Sequence, residues 1–391
     1  MKKIISILTA TRAEYGLLHP LILKLQKLGA FDVRVVVTGA HLSPEFGLTY
    51  KEIEEDNIEI DKKIEILLSS DTPSSISKSM GLAMIGFSDY FSELKPDLLI
   101  VLGDRYETLA VCCVAMNQRI PIAHLYGGET TEGAIDESIR HAITKLSYLH
   151  FTSTEEYRKR VIQLGEDPSR VFNVGALGIE NIKNEKLLDR AHLEESLGLS
   201  LDGPFAMVTF HPVTLEKGSS AIQFKTMLDA FHAHPDLKFV FSKANADADG
   251  RIINQMIDTF VATHKNAVVF ASLGTKLYIS TVKHSAFVIG NSSSGIVEVP
   301  SLHIPTINVG DRQKGRLQAG STINCEPTSV DIERAITYAL SEECKEKAKT
   351  VENPYGDGNS SELIASCIKR VLSEETIDLK KQFFDLKVIE A

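Results

Sequence analysis

The chain has 391 residues, 43% of them hydrophobic, and a formal net charge of −10, which fits two or three soluble domains. This charge argues against a general nucleic-acid binder but leaves room for a local positive pocket around a phosphorylated small molecule. No apolar run reaches the roughly 18 residues of a membrane span. The five cysteines have no metal-binding spacing, so we expect reduced thiols, no metal site and a cytoplasmic protein.

Short apolar stretches rich in Ile and Val alternate with helical patterns along the whole chain. The first half predicts strands at 4–9, 33–38, 98–103, 120–125, 150–152 and 171–174, separated by helices near 17–28, 44–56, 76–94, 106–116, 136–146 and 155–164. After a charged helical linker at 183–203, a second set of strands follows at 205–210, 238–242, 267–270, 286–289 and 306–309. Its helices are predicted near 223–232, 250–264, 275–283, 295–299, 330–341 and 361–373.

This alternation is typical of βαβ units and parallel sheets. We therefore predict an α/β fold class with two doubly wound domains, 1–182 and 183–373. Such domains bind ligands beside the carboxyl ends of their strands, here in the cleft between the two domains. The residues that directly follow each strand are thus the candidates for function.

Two strand ends of the first half carry charged residues. The segment 11–16 after the first strand lacks the G-x-G-x-x-G fingerprint, so a dinucleotide site gets no support. Arg12 and the nearby backbone N–H groups can bind an anion, or the segment is a capped helix start with a surface arginine. Asp104 follows the strand at 98–103 and is placed for chemistry or for capping the next helix.

The segment 127–141 combines glycines, acids and a cation between a strand and a helix. Gly127 and Gly128 are followed by Glu129, and the next helix carries Asp136 and Arg140 one turn apart on the same face. This combination indicates a site. Each part also has a plain structural explanation, because the glycines can form a tight turn and the helix residues an ordinary ion pair.

The second half offers candidates at two of its strand ends. His211 follows the strand at 205–210 and can serve as an acid, a base or a phosphate partner, or it is a structural histidine. Asn245 follows the strand at 238–242 and can contact a phosphate or ribose, or it lies in a plain loop. Both positions are at the edge where a parallel sheet binds ligands.

Hydroxyls and glycines open a helix at 290–298. Ser292 and Ser293 supply donors at the positive helix end, and Glu298 can accept from two ribose hydroxyls, which favours a nucleotide over redundant helix caps. Arg312 follows a further strand and is either a ligand cation or part of a solvated charge run.

Together these motifs resemble the UDP-N-acetylglucosamine 2-epimerase family, and most closely its hydrolysing branch, which makes N-acetylmannosamine for sialic-acid synthesis in bacteria. The resemblance runs through 11–16, 103–107, 136–146, 290–295 and 310–316. It implies a GT-B architecture of two Rossmann-like domains, with a C-terminal helix at about 374–391 packed back on the first domain. It also implies a UDP-sugar substrate, no cofactor and a homodimer or homotetramer.

The resemblance assigns a role to each candidate. Three carboxylates become acid or base candidates: Asp104, Glu129 and Asp136. Arg140 and His211 become partners of the diphosphate, and the UDP contacts become Arg12, Asn245, Ser292, Ser293, Glu298 and Arg312. Many relatives place a glutamate two residues after the histidine of a His-x-Glu-x-Gly pattern, but here Tyr126 stands there, so Glu129 is the substitute acid.

These residue types suit the implied reaction. The C2 proton of an N-acetylhexosamine is hard to remove directly, but it becomes acidic once the C1–O bond to UDP begins to break. Cations on the diphosphate and a carboxylate near C2 would then give a glycal, and water addition would release the 2-epimer. The alternatives are a 2,4-diacetamido-trideoxyhexose substrate of the legionaminic type, a non-hydrolysing epimerase, a GT-B glycosyltransferase and a non-catalytic nucleotide-sugar sensor.

Overall fold

The structure is a computed structural model that describes residues 2–70, 72–131, 135–212, 218–244, 250–374 and 376–386. The chain divides into two compact units. Unit 1 comprises Met1–Glu129, Asp136–Glu180 and Tyr355–Ala391, and unit 2 comprises Thr130–Ile135 and Asn181–Pro354. None of the described helices is long and apolar enough to cross a membrane.

Unit 1 contains seven described strands in one parallel sheet: β1 (Lys3–Thr9), β2 (Phe31–Thr38), β3 (Ile60–Ile64), β4 (Leu98–Leu102), β5 (Ile122–Leu125), β6 (Leu149–Thr152) and β7 (Val171–Asn173). Their order across the sheet is β3-β2-β1-β4-β5-β6-β7. The helices of this part of the chain are α1 (Arg12–Leu28), α2 (Tyr50–Glu55), α3 (Pro73–Leu94), α4 (Tyr106–Asn117), α5 (Asp136–Leu146), α6 (Glu155–Gln163) and α7 (Leu177–Asn184).

Unit 2 repeats this arrangement with six described strands: β8 (Phe205–Thr209), β9 (Lys238–Ser242), β10 (Ala267–Phe270), β11 (Phe287–Gly290), β12 (Thr306–Val309) and β13 (Thr322–Cys325). Their order is β10-β9-β8-β11-β12-β13, again parallel. Its helices are α8 (Arg190–Leu197), α9 (Ser219–Phe231), α10 (Gly250–Thr263), α11 (Gly274–His284), α12 (Ser293–Val297), α13 (Ser329–Leu340) and α14 (Glu342–Thr350), and α15 (Ser360–Glu374) returns to unit 1.

The continuous apolar strands are buried on both faces of the sheet, as the sequence predicts for parallel pairing. In β4, Leu98 and Ile100 join the core on one face, while Leu99 and Val101 join the core on the other. The two faces are covered by different helices, because α1 packs on the first core and α3 on the second. The predicted α/β class with two doubly wound domains is confirmed.

Each sheet has one place where the strand order reverses direction. In unit 1 it lies between β1 and β4, and in unit 2 it lies between β8 and β11. Connections leave to opposite sides of the sheet there, which opens a crevice at the carboxyl ends of the two strands and makes this the usual ligand position in open α/β sheets. The candidate residues after β1, β4, β8 and β11 therefore lie at the positions that the topology favours.

The sequence analysis did not predict β3 and β13, which are polar strands at the edges of their sheets. β3 has the sequence IDKKI, in which three consecutive charged residues leave no apolar run. β13 has the sequence TINC, with no residue fully buried. The predicted helix at 44–56 is shorter in the structure, where a 3-10 turn at Pro44–Phe46 precedes α2.

The predicted C-terminal helix at 374–391 is wrong for residues 376–386, which are not helical, and residues 387–391 lie outside the described part. The helix that packs against α1 is instead α15, which the predicted boundary of 183–373 assigns to the second domain. α15 buries Ile364, Ile368 and Val371 in the core of unit 1. The following chain forms tertiary hydrogen bonds in place of helical ones, such as Phe384 N–H to Gly165 O at 3.0 Å.

Candidate active site

Arg140 is the centre of the candidate site in unit 1. Its guanidinium is buried, with 1% exposure, and donates to the Asp104 carboxylate, to Glu137 Oε2 at 2.8 Å and to the Glu129 carbonyl at 2.8 Å. Asp104 follows β4 and Glu129 follows β5, so one cation joins two strand ends to the first turn of α5. The structure gives this guanidinium protein acceptors, and the role of Arg140 as a diphosphate partner stays a prediction.

The three predicted carboxylates lie at the same edge of the unit 1 sheet. Glu129 is buried, and its Oε1 accepts a hydrogen bond from the Ser153 hydroxyl at 2.7 Å. Asp136 is half-buried and is the first residue of α5, one turn before Arg140. Asp104 keeps 24% of its side chain exposed. One buried carboxylate and two more accessible ones thus lie at this sheet edge, and acid–base chemistry requires carboxylates held in place in this way.

The Gly127-Gly128 turn is explained by packing alone. Gly128 has φ of +79°, and a Cβ there would lie 2.4 Å from the Tyr157 carbonyl oxygen of α6. The Gly128 carbonyl accepts from Arg160 of the same helix at 2.6 Å. A side chain would therefore both strain the backbone and push α6 away. Close approach of a sugar is not needed to explain this glycine.

His124 and Tyr126 lie on either side of Leu125, the last residue of β5. His124 is buried, and its Nε2 donates to the Gly103 carbonyl at 2.8 Å, next to Asp104. Burial lowers the pKa of His124 to about 3, so the ring is neutral and holds the β4 end in place. Tyr126 has φ of +68°, a conformation that costs a non-glycine residue about 1–2 kcal/mol. Such conformations recur at functional sites, and in this chain they also occur where helices end, as at Lys95 and His303.

The structure also reveals a cluster that the sequence analysis missed, between the ends of β1 and β4. Glu14 is buried, accepts from the Ala10 N–H at 2.8 Å and lies 3.9 Å from Arg105 Nε. Arg105 donates to Glu107 Oε1 at 2.7 Å. Burial, together with the Glu107 charge, raises the pKa of Glu14 to about 7. Glu14 and Arg105 stand within the motifs at 11–16 and 103–107, so their strand-end position was the available signal.

Arg12 lies at the first position of α1, directly after β1. Its Nη1 is buried without a hydrogen-bond partner among the described residues. Burial lowers the pKa of Arg12, an effect that the charge of Glu52 partly opposes. A buried guanidinium nitrogen with a free donor at a sheet switch point fits an anionic ligand, as the sequence predicts.

In unit 2, Asn291 joins the ends of β8 and β11. Its Oδ1 accepts from the His211 backbone N–H at 2.7 Å, and its Nδ2 donates to the His211 carbonyl at 2.8 Å. The preceding Gly290 has φ of +141°, and a Cβ there would lie 1.9 Å from the Thr209 carbonyl oxygen. This contact explains why a glycine ends β11. His211 is thus held at the switch point of the sheet by a residue that the sequence analysis did not single out.

The same asparagine gathers two more side chains. Its backbone carbonyl accepts from Arg312 Nη1 at 3.1 Å and from Gln313 Nε2 at 2.8 Å. Arg312 is half-buried, whereas Gln313 is fully buried. The predicted charge run at 310–316 therefore folds back toward the end of β11 and is not a solvated face at this position.

In the serine-rich turn at 292–294, the hydroxyls of Ser292 and Ser294 each have a hydrogen-bond partner. Ser292 caps α12 by accepting from the Ser294 N–H, and the Tyr278 hydroxyl lies 2.7 Å from Ser294 Oγ. Ser293 begins α12, and Glu298 follows its last residue. Burial and the nearby Glu298 charge raise the pKa of Tyr278. Asn245, the other predicted UDP contact, lies outside the described residues.

No cluster of three or more metal-ligating side chains occurs within the described residues. The two units each gather cations, carboxylates and hydroxyls at a sheet switch point. These features define a two-domain α/β protein of GT-B-like fold whose candidate site residues lie at the carboxyl ends of the strands.

Comparison with known proteins identifies the family. Residues 23–369 match the family model described as UDP-N-acetylglucosamine 2-epimerase. The chain is 46% identical to GDP/UDP-N,N'-diacetylbacillosamine 2-epimerase (hydrolyzing) of Campylobacter jejuni over 98% of this chain and 100% of that protein. It is 39% identical to polysialic acid biosynthesis protein P7 of Escherichia coli over 99% of this chain and 98% of that protein.

A solved structure shows the same fold. The UDP-GlcNAc 2-epimerase of Neisseria meningitidis bound to UDP-GlcNAc superposes with a TM-score of 0.79 at 20% identity, covering 94% of this chain and 100% of that one. The chain belongs to the UDP-N-acetylglucosamine 2-epimerase family, and its similarity is to the hydrolysing branch. The prediction of an enzyme of this family is confirmed.

Proposed function

We propose that the protein hydrolyses a nucleotide-linked 2-acetamido sugar with inversion at C2, releasing the free 2-epimer and the nucleoside diphosphate. The observation that carries this proposal is the 46% identity to a hydrolysing 2-epimerase over nearly the full length of both chains. The carboxylate cluster around Arg140 supports it, because removal and return of the C2 proton require carboxylates held in place.

The reaction proceeds in two stages. First, the C1–O bond breaks as a carboxylate takes the C2 proton, which leaves a glycal with a C1=C2 double bond and the departing diphosphate. Second, a proton returns to the opposite face of C2 and water adds at C1. The candidate acids and bases are Asp104, Glu129, Asp136 and, from the structure, Glu14. In unit 2, His211 and Arg312 would stabilise the leaving diphosphate. Arg12 is the proposed anion contact of unit 1.

The nucleotide would lie at the β8–β11 switch point of unit 2. Ser292 and Ser293 would donate to phosphate oxygens, and Glu298 would accept from the ribose hydroxyls. The Asn291 clamp supports this placement, since it holds His211 and Arg312 at the same strand end. Asn245 is a further proposed contact of the nucleotide.

For the sugar, we propose a 2,4-diacetamido-2,4,6-trideoxyhexose as the preferred substrate. Two relatives favour it: the Campylobacter jejuni protein at 46% identity and the UDP-N,N'-diacetylbacillosamine 2-epimerase (hydrolyzing) of Legionella pneumophila at 34%. The second candidate is UDP-GlcNAc, with N-acetylmannosamine as product. It is favoured by the 39% identity to a polysialic acid biosynthesis protein and by the sequence motifs.

A side-by-side turnover experiment tests the proposal. The purified protein is incubated with UDP-GlcNAc, UDP-N,N'-diacetylbacillosamine and GDP-N,N'-diacetylbacillosamine in D₂O, and in a second series in H₂¹⁸O. We expect free sugar with deuterium at C2 and a nucleoside diphosphate without ¹⁸O, since the C1–O bond breaks and the P–O bond does not. The diacetamido substrates should give the highest kcat/KM.

Other outcomes would support a rival function. Lasting accumulation of a nucleotide-linked 2-epimer would mean the non-hydrolysing reaction. Turnover only after addition of an acceptor would mean a glycosyltransferase. Ligand binding without turnover of any of the three sugars would mean a sensor.

We also infer a cytoplasmic homo-oligomer. Support comes from apolar side chains that remain exposed on two adjacent helices: Leu82, Met84 and Ile85 of α3 and Met116 of α4. A second copy would cover such a patch. Sedimentation of the wild-type protein and of Ile85→Lys tests this inference. A dimer or tetramer that dissociates in the variant is expected, and an unchanged mass would remove this face from the interface.

A further inference from the structure

Residues 376–386, called the C-terminal strap below, are docked on unit 1 by specific contacts. The Phe384 N–H donates to the Gly165 carbonyl at 3.0 Å. Gly165 has φ of +87°, and a Cβ there would lie 2.3 Å from the Phe383 ring. The Lys145 ammonium lies 5.1 Å from the centre of the same ring. The strap is therefore seated on the end of α5 and on the turn after α6.

Lys381 of the strap binds the carboxyl end of α5 directly. Its Nζ donates to the Lys145 carbonyl at 3.0 Å and to the Ser147 carbonyl at 2.6 Å, and it lies 2.6 Å from Glu166 Oε2. The last carbonyls of a helix have no intrahelical partner and carry partial negative charge, so a cation at this place is stabilising.

Glu166 connects this contact to the sheet. Its side chain is 1% exposed, and it accepts from Lys145 Nζ at 2.6 Å and lies 3.0 Å from His150 Nε2 of β6. A buried carboxylate requires such partners, because an unpaired charge in the interior is strongly unfavourable. Lys381, Glu166 and His150 thus form one chain of contacts from the strap through the turn after α6 to the sheet, and Lys145 of α5 joins it at Glu166.

α5 is also the helix that carries the candidate site residues Asp136 and Arg140. Lys145 lies five residues after Arg140, about 7.5 Å along the helix axis. A displacement of the α5 end would therefore move the Arg140 guanidinium relative to Asp104, with which it pairs. Sub-ångström placement matters in such sites, since a shift of about 1 Å can reduce turnover by about a hundredfold.

We propose that Lys381 is a positioning residue, through which the C-terminal strap fixes α5 and thereby the placement of Asp136 and Arg140 against Asp104. The consequence for turnover rests on the proposed function. The fixation of α5 by Lys381 does not depend on which nucleotide sugar is the substrate.

The test compares Lys381→Met, Lys381→Arg and Lys380→Met in the full chain. Lys380 is the exposed neighbour of Lys381 and provides a control with the same change of charge. We expect Lys381→Met to speed amide hydrogen exchange in the last turn of α5 and to lower kcat about tenfold, with the affinity for UDP unchanged. Lys381→Arg should restore most of both properties, and Lys380→Met should match the wild type.

Wild-type exchange in α5 and wild-type kcat for Lys381→Met would overturn the proposal. If this variant does not fold because Glu166 loses a partner, the double variant Lys381→Met with Glu166→Gln removes the buried charge as well and gives the same two readouts. The two hypotheses remain separable. A wild-type protein without turnover would refute the proposed function, while hydrogen exchange in α5 would still decide the role of Lys381.

Discussion

At the scale of single residues, Arg140 organises the unit 1 site without contributing an exposed charge. Its guanidinium is almost completely buried and, within the described part of the chain, donates to the carboxylates of Asp104 and Glu137 and to the Glu129 carbonyl. Asp104 and Glu137 are paired with this cation, whereas the Glu129 carboxylate accepts from the Ser153 hydroxyl. The arrangement holds three carboxylates from different segments of the chain in defined positions.

Asp104→Asn is expected to reduce kcat by about 10²–10⁴-fold, because the amide can still accept from Arg140 but cannot take or give a proton. The affinity for UDP should not change. Steady-state kinetics and UDP titration measure the two effects. Asp97→Asn, just before the opposite end of β4, where Asp97 bonds Lys3 and the Ile4 N–H, is the matched control and should keep wild-type kcat. Normal turnover in Asp104→Asn would exclude Asp104 from the acid–base set.

Glu14 should make unit 1 less stable as the pH rises. Its folded pKa of about 7 lies above the ordinary value of 4.5, so the folded state holds a proton that the unfolded state has lost. Stability is then greatest below pH 4.5 and decreases by up to about 3 kcal/mol as the pH passes through 7. Glu14→Gln should reduce the change of the melting temperature between pH 5 and pH 8. The exposed Glu55→Gln serves as control, and equal pH dependence in both variants would contradict the assignment.

At the scale of secondary-structure elements, the turn between β5 and α5 depends on contact with α6. Gly128→Ala should destabilise unit 1 by about 2–4 kcal/mol, because it adds a clash with the Tyr157 carbonyl to the strain of a positive φ. Gly29→Ala isolates the strain, since Gly29 has φ of +64° and open space around it. It should cost about 1 kcal/mol. Thermal unfolding of both variants measures the difference, and equal losses would show that the clash is relieved.

The elements that the sequence predicts well are those whose burial is continuous. β4 and β8 are fully buried and are recognised in the sequence as apolar runs, whereas β3 and β13 contain charged or polar residues and are only partly buried. Candidates at strand ends were found because parallel topology brings such ends together. The Glu14–Arg105 pair and the Asn291–His211 clamp were not, because each joins residues about 80 or more positions apart in the chain. Those contacts follow from tertiary packing rather than from a local pattern.

At the scale of the whole molecule, the chain builds two units with the same central strand order and then returns to the first. α15 packs against α1, and the segment that begins at Tyr355 supplies buried contacts such as Tyr157 Oη to Tyr355 Oη at 3.0 Å. The Ser361 N–H also donates to Glu180 Oε2 at 2.8 Å. Unit 1 therefore depends on residues from both ends of the described chain.

A chain that stops after Pro354 should lose the fold of unit 1 and keep that of unit 2. The buried Ile364, Ile368 and Val371 each contribute about 1.5–3 kcal/mol of burial, a sum comparable with the stability of a whole domain. Limited proteolysis should leave a protected fragment near 181–354 and digest residues 1–180. A chain that stops after Glu374 keeps α15 and is the control. Protection of residues 1–180 in the shorter chain would contradict this dependence.

The discontinuity of unit 1 also determines the order of events during synthesis. Most of unit 2 is contiguous, so its sheet can close on the ribosome while translation of the last segment is still under way. The strands β1 to β5 of unit 1 are translated before unit 2, yet their core is complete only once α15 has been made. We therefore expect nascent chains to expose the apolar surface of unit 1 until α15 is available, a period in which chaperones can bind it.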